Sequence, residues 1–256
     1  MAKKYQAPSV KKAFQILQLI ADTNNTVGIT DIAKSLKISK STVHGITSVL
    51  EEVGVVRRDP ITKRYALGFA LFELGKSAYS QVDLTEIARP ILKKLMEETQ
   101  QTVFLGILSG EHVIIIESFE SHQALKITTP IGTAIPLLAG AVGKVLLGTM
   151  EEESVLEIIK RKGIKRYTEN TITDPIKYLE AIGAAKKMGY GTDYEEYILG
   201  VRAVAAPVVS NNDFLSAVWA VGFKTSLDNE KMDALIRQTK AAAATISRHT
   251  IEQAAV

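Results

Sequence analysis

A chain of 256 residues, 46% hydrophobic and 23% charged, has the material for one or two soluble domains of ~100–200 residues each. It holds no cysteine, which excludes a disulfide scaffold, an iron–sulfur site, a thiol nucleophile and any zinc site built on thiolates. The net charge of +3 divides unevenly. Residues 1–68 carry eleven Lys/Arg against five Asp/Glu, and residues 69–256 carry twenty against twenty-three, so +6 and −3 make up the total. A small basic head on a mildly acidic body is the electrostatic footprint of a protein that meets a polyanion such as DNA. The longest uncharged stretch, Ile127 to Gly143, contains Pro130, Pro136 and three glycines. A spanning helix needs ~20 mostly apolar residues, so no membrane span is expected. Gln15, Gln18 and Asp22 interrupt the apolar patch behind the basic N-terminus, which does not read as a signal peptide; the cytoplasm is the expected location.

Val10, Ala13, Phe14, Leu17, Ile20 and Ala21 recur at helical spacing, which predicts an amphipathic helix over Ser9 to Thr23. Gly28 interrupts the chain. Thr30 is the expected N-cap of a short second helix with Ile32, Ala33 and Leu36 on its apolar side. Lys37 and Ile38 make a tight turn, after which Ser39 caps a third helix to about Val53. Its inward residues are expected to be Val43, Ile46, Val49, Leu50 and Val53, and Gly54 ends it. Two short helices joined by so brief a turn form a helix-turn-helix pattern, whose second helix places its N-terminal part in the major groove. Ser39, Lys40, Ser41, Thr42 and His44 are the exposed candidates there for phosphate and base contacts.

Val55 to Leu67 then reads as two strand-like runs about an Asp59-Pro60 turn, a β-hairpin or wing. Its basic residues Arg57, Arg58, Lys63 and Arg64 suit it to a phosphate backbone or a minor groove. The competing reading is a solvated basic hairpin that docks on protein. Phe69 to about Gln81 is predicted helical, with Leu71, Phe72, Leu74 and Tyr79 available for burial. No Gly/Ser-rich tether intervenes, so the helix reads as an inter-subunit or inter-domain contact.

Asp83 opens a capping-box-like start with Glu86 at N3, ahead of a helix burying Ile87, Ile91, Leu92, Leu95 and Met96. Apolar runs at Thr102–Leu108, Val113–Phe119 and Ala124–Thr129 predict strands, the first two joined by a turn at Ser109-Gly110-Glu111. Helical patterns follow at Leu138–Met150, Glu151–Lys162 and, behind an Asp174-Pro175 start, up to Gly189. Strands at about Val201–Val209 and Phe214–Thr225 flank the polar turn Ser210–Asp213, and Asp228 caps a last helix to about Gln253. Helices before and after an antiparallel sheet make the body an α+β domain.

Residues 28–75, GITDIAKSLKISKSTVHGITSVLEEVGVVRRDPITKRYALGFALFELG, resemble the winged-helix head of the IclR family of bacterial transcriptional regulators. The chain keeps the family's Thr42-Val43-His44 and its wing closure Arg64-Tyr65-x-Leu67-Gly68, and departs at Gly45, where the family usually has arginine. The stretches GTAIPLLAGAVGKVLL (132–147) and GYGTDYEEYILGVRAVAAPV (189–208) are similar to the family's GAF-like effector domain. The resemblance implies a winged helix-turn-helix domain over 1–68, a linker helix over 69–82 that helps join protomers, and an effector-binding domain over 83–256. It also implies a homodimer, often paired into a tetramer. Matched position by position, it implies an effector pocket at Gly140, Ala141, Asp193, Ala203, Trp219 and Val221.

Free N–H groups at a helix start, such as those of Gly140 and Ala141, bind carboxylates. Ala203 stands where the family often has cysteine, and Trp219 and Val221 stand where some members have serine. Fewer hydroxyls and an added indole favour an apolar or ring-containing carboxylic acid, while core filling is the competing role for Trp219. Asp193, Glu195 and Glu196 read as a solvated or capping cluster rather than as acid–base catalysts. Lys144, Arg202 and the Lys160–Arg166 cluster read as surface charge. His112 and His122 are separated by a run that would hold them ~30 Å apart if extended, which argues against a shared metal. No phosphate-cradling loop, His-Glu-x-x-His or nucleophile–base pair occurs, so neither an enzyme nor a cofactor is expected. The expected function is a sequence-specific, double-stranded DNA-binding regulator whose operator binding responds to a small metabolite. The alternative is a ligand-independent architectural DNA-binding protein.

Overall fold

Gly28 and Ser39, each in extended conformation just ahead of a helix, set the frame of the N-terminal region. The computed structural model describes residues 7–23, 26–80, 84–210 and 214–253, and the chain divides into two units, Met1–Val82 and Asp83–Val256.

In the first unit, α1 (Pro8–Asp22), α2 (Ile29–Leu36) and α3 (Lys40–Glu52) precede a hairpin of β1 (Val56–Arg58) and β2 (Tyr65–Leu67), followed by α4 (Ala70–Ser80). The expected α2 cap moves. Gly28, not Thr30, is the N-cap, because Asp31 at N3 reaches back to accept the Gly28 N–H at 3.3 Å. The core consists of Ile16, Ile20, Val27, Ile32, Ala33, Val43, Val56 and Tyr65. Val27 and Tyr65 exchange both backbone hydrogen bonds, at 2.9 and 2.8 Å, tying the hairpin to the start of α2. Gly68 closes the hairpin because a Cβ there would collide with the Gly54 carbonyl. The inward faces of α1 and α3 are narrower than their periodicity suggests. Ile16 and Ile20 are buried while Val10 and Phe14 face out, and Val43 is buried while Val49 and Val53 face out.

The second unit begins with α5 (Leu84–Thr99) and continues through β3 (Thr102–Ser109), β4 (His112–Phe119), β5 (Ala134–Pro136), α6 (Gly140–Gly148), α7 (Glu152–Lys162) and α8 (Pro175–Met188). It ends with β6 (Gly191–Tyr194), β7 (Val201–Val208), β8 (Ser216–Phe223) and α9 (Asn229–Gln253). The six strands form one antiparallel sheet in the order β5-β4-β3-β8-β7-β6. Two three-stranded meanders meet at β3–β8, where Phe104 lies opposite Trp219. Period-two alternation puts Phe104, Ala203, Ala205, Ala217, Trp219 and Val221 on the face that packs with α6 residues Ala141, Val142 and Val145. The alternate residues Val103, Leu105, Val204, Ala206, Val218 and Ala220 are buried on the face covered by α5 and α9. The fold is α+β, with a helix-turn-helix first unit.

Ala124–Thr129 does not form the expected strand. The edge of β4 is taken instead by β5, with His112 opposite Pro136 and Ile114 opposite Ala134, and Pro130 cannot donate to a ladder. β6 is a strand that the turn-rich sequence around Gly189 and Gly191 conceals. The expected cap at Asp83, the helix end at Gln81 and the centre of the Ser210–Asp213 turn lie outside the described residues, as does the side chain of Tyr79.

Candidate nucleic-acid interface and ligand cavity

Ser39 caps α3 as expected: its Oγ accepts the Thr42 N–H at 3.1 Å and lies 2.7 Å from Thr42 Oγ1 and 3.0 Å from Ser41 Oγ. Thr42 is thereby turned partly inward, while Ser39, Lys40, Ser41 and His44 stay exposed. Lys40, His44 and Ser48 follow one another at four-residue spacing, so they share an outer face of α3. His44 Nδ1 lies 3.4 Å from Ser48 Oγ. Gly45 is exposed on the same helix with open space where a side chain would stand.

The four wing cations separate into two kinds. Arg64 Nε donates to the Thr26 carbonyl at 2.9 Å and its guanidinium pairs with Asp31 at 3.1 Å, so it clamps the wing to α2. Arg58 donates to the Lys63 carbonyl at 3.5 Å and lies over the Tyr65 ring. Arg57 and Lys63 are exposed. Between them, Asp59 Oδ1 accepts from the Ile61 and Thr62 N–H groups at 3.0 and 2.6 Å and from Thr62 Oγ1 at 2.9 Å. Those hydrogen bonds, those of Thr62 foremost, hold its carboxyl below the usual carboxylate range.

In the second unit, Gly140, Ala141, Asp193, Ala203, Trp219 and Val221 all border one cavity of about 570 Å³ measured out to its solvent-facing mouth. The remaining wall is mostly apolar: Phe104, Ile115, Ile135, Val142 and Val201, with Ile127 and Thr129 from the segment wrongly expected to be a strand. Trp219 stacks obliquely on Phe104 at 5.4 Å between centroids, so it serves core and cavity together. Gly140 starts α6 with φ of +62°, and a Cβ there would come within 2.8 Å of Asp193 Oδ2. Only glycine combines that backbone with so close a carboxylate. No side chain caps the first turn of α6, so its amides and their dipole face the cavity region uncapped.

The carboxylates expected to be solvated are buried. Asp193 and Glu195 are among the buried polar residues, because β6 pairs with β7 and draws Asp193 opposite Ala203 inside the sheet. Asp193 Oδ1 accepts the Glu196 N–H at 2.6 Å, so the capping half of the expectation holds. Burial pushes its pKa up to about 6, partly opposed by that hydrogen bond. Lys144, expected at the surface, is buried within α6, donating to the Thr192 carbonyl at 2.9 Å and pairing with Glu196 at 2.5 Å. Lys224 pairs with Glu195 at 2.7 Å and holds it below the usual range. Arg202 is half-buried, donating to the Leu227 carbonyl at 2.6 Å and lying over Tyr194. Tyr178 is buried beside this group, and burial pushes its phenol pKa upward. Among the described residues no group of three side chains could hold a metal, and no helix is long and apolar enough to cross a membrane. Sequence reasoning put Lys144 at the surface, took Glu196 as solvated or capping without its pairing to Lys144, and did not single out Tyr197, which borders the cavity. A lone charge inside the otherwise uncharged α6 (GAVGKVLLG) was the available signal for the first.

Residues 9–60 match the IclR helix-turn-helix domain, and residues 76–248 match the bacterial transcriptional regulator IclR C-terminal domain. This chain belongs to the IclR family. The regulator is 33% identical over 203 residues to the acetate operon repressor of Salmonella typhimurium, covering 78% of this chain and 74% of that one. The crystal structure of an IclR transcriptional regulator from Alicyclobacillus acidocaldarius is 29% identical, with a TM-score of 0.81 over 95% of this chain and 99% of that chain. An IclR homologue from Microbacterium hydrocarbonoxydans, solved in complex with 4-hydroxybenzoate, shares the fold at 22% identity. Its TM-score is 0.78 over 94% of this chain and 98% of that one. The regulator is therefore a DNA-binding transcriptional regulator and not an enzyme.

Proposed function

We propose that the regulator is a cytoplasmic, sequence-specific repressor that binds a double-stranded operator through α3 and the wing, and that a small carboxylic acid in the cavity of the second unit modulates that binding. One observation carries the effector half: the six pocket candidates border one apolar cavity that also contains a buried carboxylate and an uncapped helix start. The acid's carboxylate sits at the α6 amides, its apolar part against Trp219 and Phe104, and a ring hydroxyl or protonated group meets Asp193. The 4-hydroxybenzoate bound by the Microbacterium homologue has this chemistry. DNA contacts fall to Ser39, Lys40, Ser41, Thr42 and His44 on α3 and to Arg57, Arg58 and Lys63 on the wing. Arg57 and Lys63 supply the wing's backbone charge, and Arg64 supports its posture.

The apolar residues left outside in the first unit, Val10, Phe14, Phe69, Phe72 and Leu74, support a homodimer, alone or paired into a tetramer, with two half-sites about one helical turn apart. The test is a titration of full-length protein with 4-hydroxybenzoate, benzoate and short aliphatic acids, read by Trp219 fluorescence. A gel shift on the DNA flanking its own coding region follows with each binder. Linkage requires that an acid changing operator affinity by a given factor be changed in its own affinity by that factor. Acids that bind and leave operator affinity untouched would remove the switch. Equal retention of flanking and random DNA would leave the architectural alternative standing.

A further inference from the structure

Among the described residues of the regulator, the most exposed large hydrophobic side chain is Ile61, 88% exposed, at the apex of the wing. Its surroundings are rigid. The Asp59 carboxylate gathers the N–H groups of Ile61 and Thr62 and the Thr62 hydroxyl, and two backbone bonds, Lys63 N–H to the Asp59 carbonyl at 3.0 Å and Asp59 N–H to the Arg64 carbonyl at 2.8 Å, close the turn below it. Pro60 fixes φ on its N-terminal side. A β-branched side chain on a turn so held presents one shape outward with little entropy left to lose on contact. Cations border it: Arg57 and Lys63 are exposed on either side of the turn. An apolar tip between two cations matches a polyanion with an apolar interior, which describes a duplex groove with phosphates along its edges.

We propose that Ile61 is a minor-groove wedge that enters a base step while Arg57 and Lys63 hold the flanking phosphates. The minor groove, about 6 Å wide, cannot admit a two-stranded ribbon, whereas the major groove at about 12 Å can. Only the apex side chain therefore reaches the floor. Apolar wedges of this size unstack one step and bend the duplex, most readily at pyrimidine–purine steps. The inference adds a site of indirect readout to a wing otherwise assigned to backbone attraction, and it is independent of any effector.

The test uses full-length protein and short duplexes that the wild type selects from a randomised pool, resynthesised with 2-aminopurine at each pyrimidine–purine step outside the α3 contacts. Wild-type protein is expected to raise 2-aminopurine fluorescence at one such step and to bend the duplex by end-to-end energy transfer. Ile61→Ala should bind about tenfold more weakly, lose both signals and keep the log–log salt slope, while Ile61→Leu should restore all three. Lys63→Ala, by contrast, should lower the salt slope by about one. Ile61 is exposed, so an unchanged melting temperature confirms the fold of each variant. Binding by Ile61→Ala within about twofold of wild type, persistence of its unstacking signal, failure of leucine to rescue, or a change in oligomeric state without DNA would each overturn the wedge.

Discussion

Replacing Lys144 by methionine tests the buried polar cluster beside the cavity. The side chains of Lys144 and Glu196 are only 6% and 13% exposed, so the pair is well shielded from solvent. Methionine keeps most of the aliphatic stem at this buried position of α6, which confines the loss to the ammonium and its bonds to Glu196 and the Thr192 carbonyl. Removing one partner of a buried pair leaves the other desolvated and costs about 3–5 kcal/mol. For a unit of this length, at about 2–4 °C per kcal/mol, that is a fall of roughly 6–20 °C in Tm. The assay is thermal unfolding followed by Trp219, the chain's single tryptophan, which lies on β8 and so reports the second unit. Lys144→Met combined with Glu196→Leu should recover most of the loss, because a buried pair and an apolar replacement are close in energy. A single variant within about 1 kcal/mol of wild type, the range of an exposed pair, would show that water reaches the cluster and that the reasoning from burial is wrong.

Asp193, raised to about 6 by burial, binds its proton more tightly folded than unfolded. Its contribution to stability is complete below pH 4 and is lost as pH rises through about 6, by about 3 kcal/mol at most; urea midpoints across pH 4–8 should slope downward for wild type and flatten in Asp193→Asn. The same proton favours binding of an anionic effector, so fluorescence titrations should show affinity falling as pH rises through about 6, and a pH-independent affinity would remove Asp193 from the site. Gly45→Ala should stabilise the first unit by about 1 kcal/mol, since the position is helical and open. Gly45→Arg should in addition steepen the salt dependence of DNA binding by about one phosphate contact, and an unchanged slope would place that face of α3 away from DNA. Arg64→Ala, which breaks the clamp to Asp31 and Thr26, should destabilise the first unit by about 1 kcal/mol and leave the salt slope nearly unchanged. Arg57→Ala should do the reverse, and an equal slope change for both would mean that Arg64 leaves its clamp to meet phosphate.

These contrasts follow the line between what the sequence makes legible and what it does not. Ser39, Asp174 and Asp228 act as caps where residue type and position alone place them, because a cap is satisfied within three residues of itself. The cavity candidates came from motif resemblance, and their convergence requires β6, α6 and β8 to meet across the sheet. Local patterning failed where the outcome depends on tertiary partners. Ala124–Thr129 has strand composition, but strand formation needs a free ladder edge, and β5 occupies the edge of β4. Phe14, Val49 and Val53 keep helical spacing, yet the first unit's core is too small to cover a full apolar face, and periodicity cannot distinguish a residue reserved for a partner from one buried in its own unit. Lys144 and Asp193 are polar residues whose burial depends on partners about fifty positions away or on a sheet pairing.

The proposed ligand response would therefore draw on the same atoms that stabilise the second unit. The Asp193 carboxylate that limits what can stand at Gly140 also borders the cavity, and Glu196, whose N–H it accepts, holds Lys144. An acid bound as proposed at the α6 amides would meet a carboxylate that must take a proton or hydrogen-bond the ligand, and either event would alter the charge beside Lys144 and Glu196. A switch needs a ligand to bind one arrangement of the protein better than another. The region where binding would change charge is buried and tied together by the Asp193–Glu196 hydrogen bond and the Lys144–Glu196 pair, and such networks have few intermediate arrangements to adopt. Lys144→Met with Glu196→Leu, which keeps the fold and removes the charges, should then bind the acid and respond to it weakly, separating occupancy of the cavity from its effect on DNA.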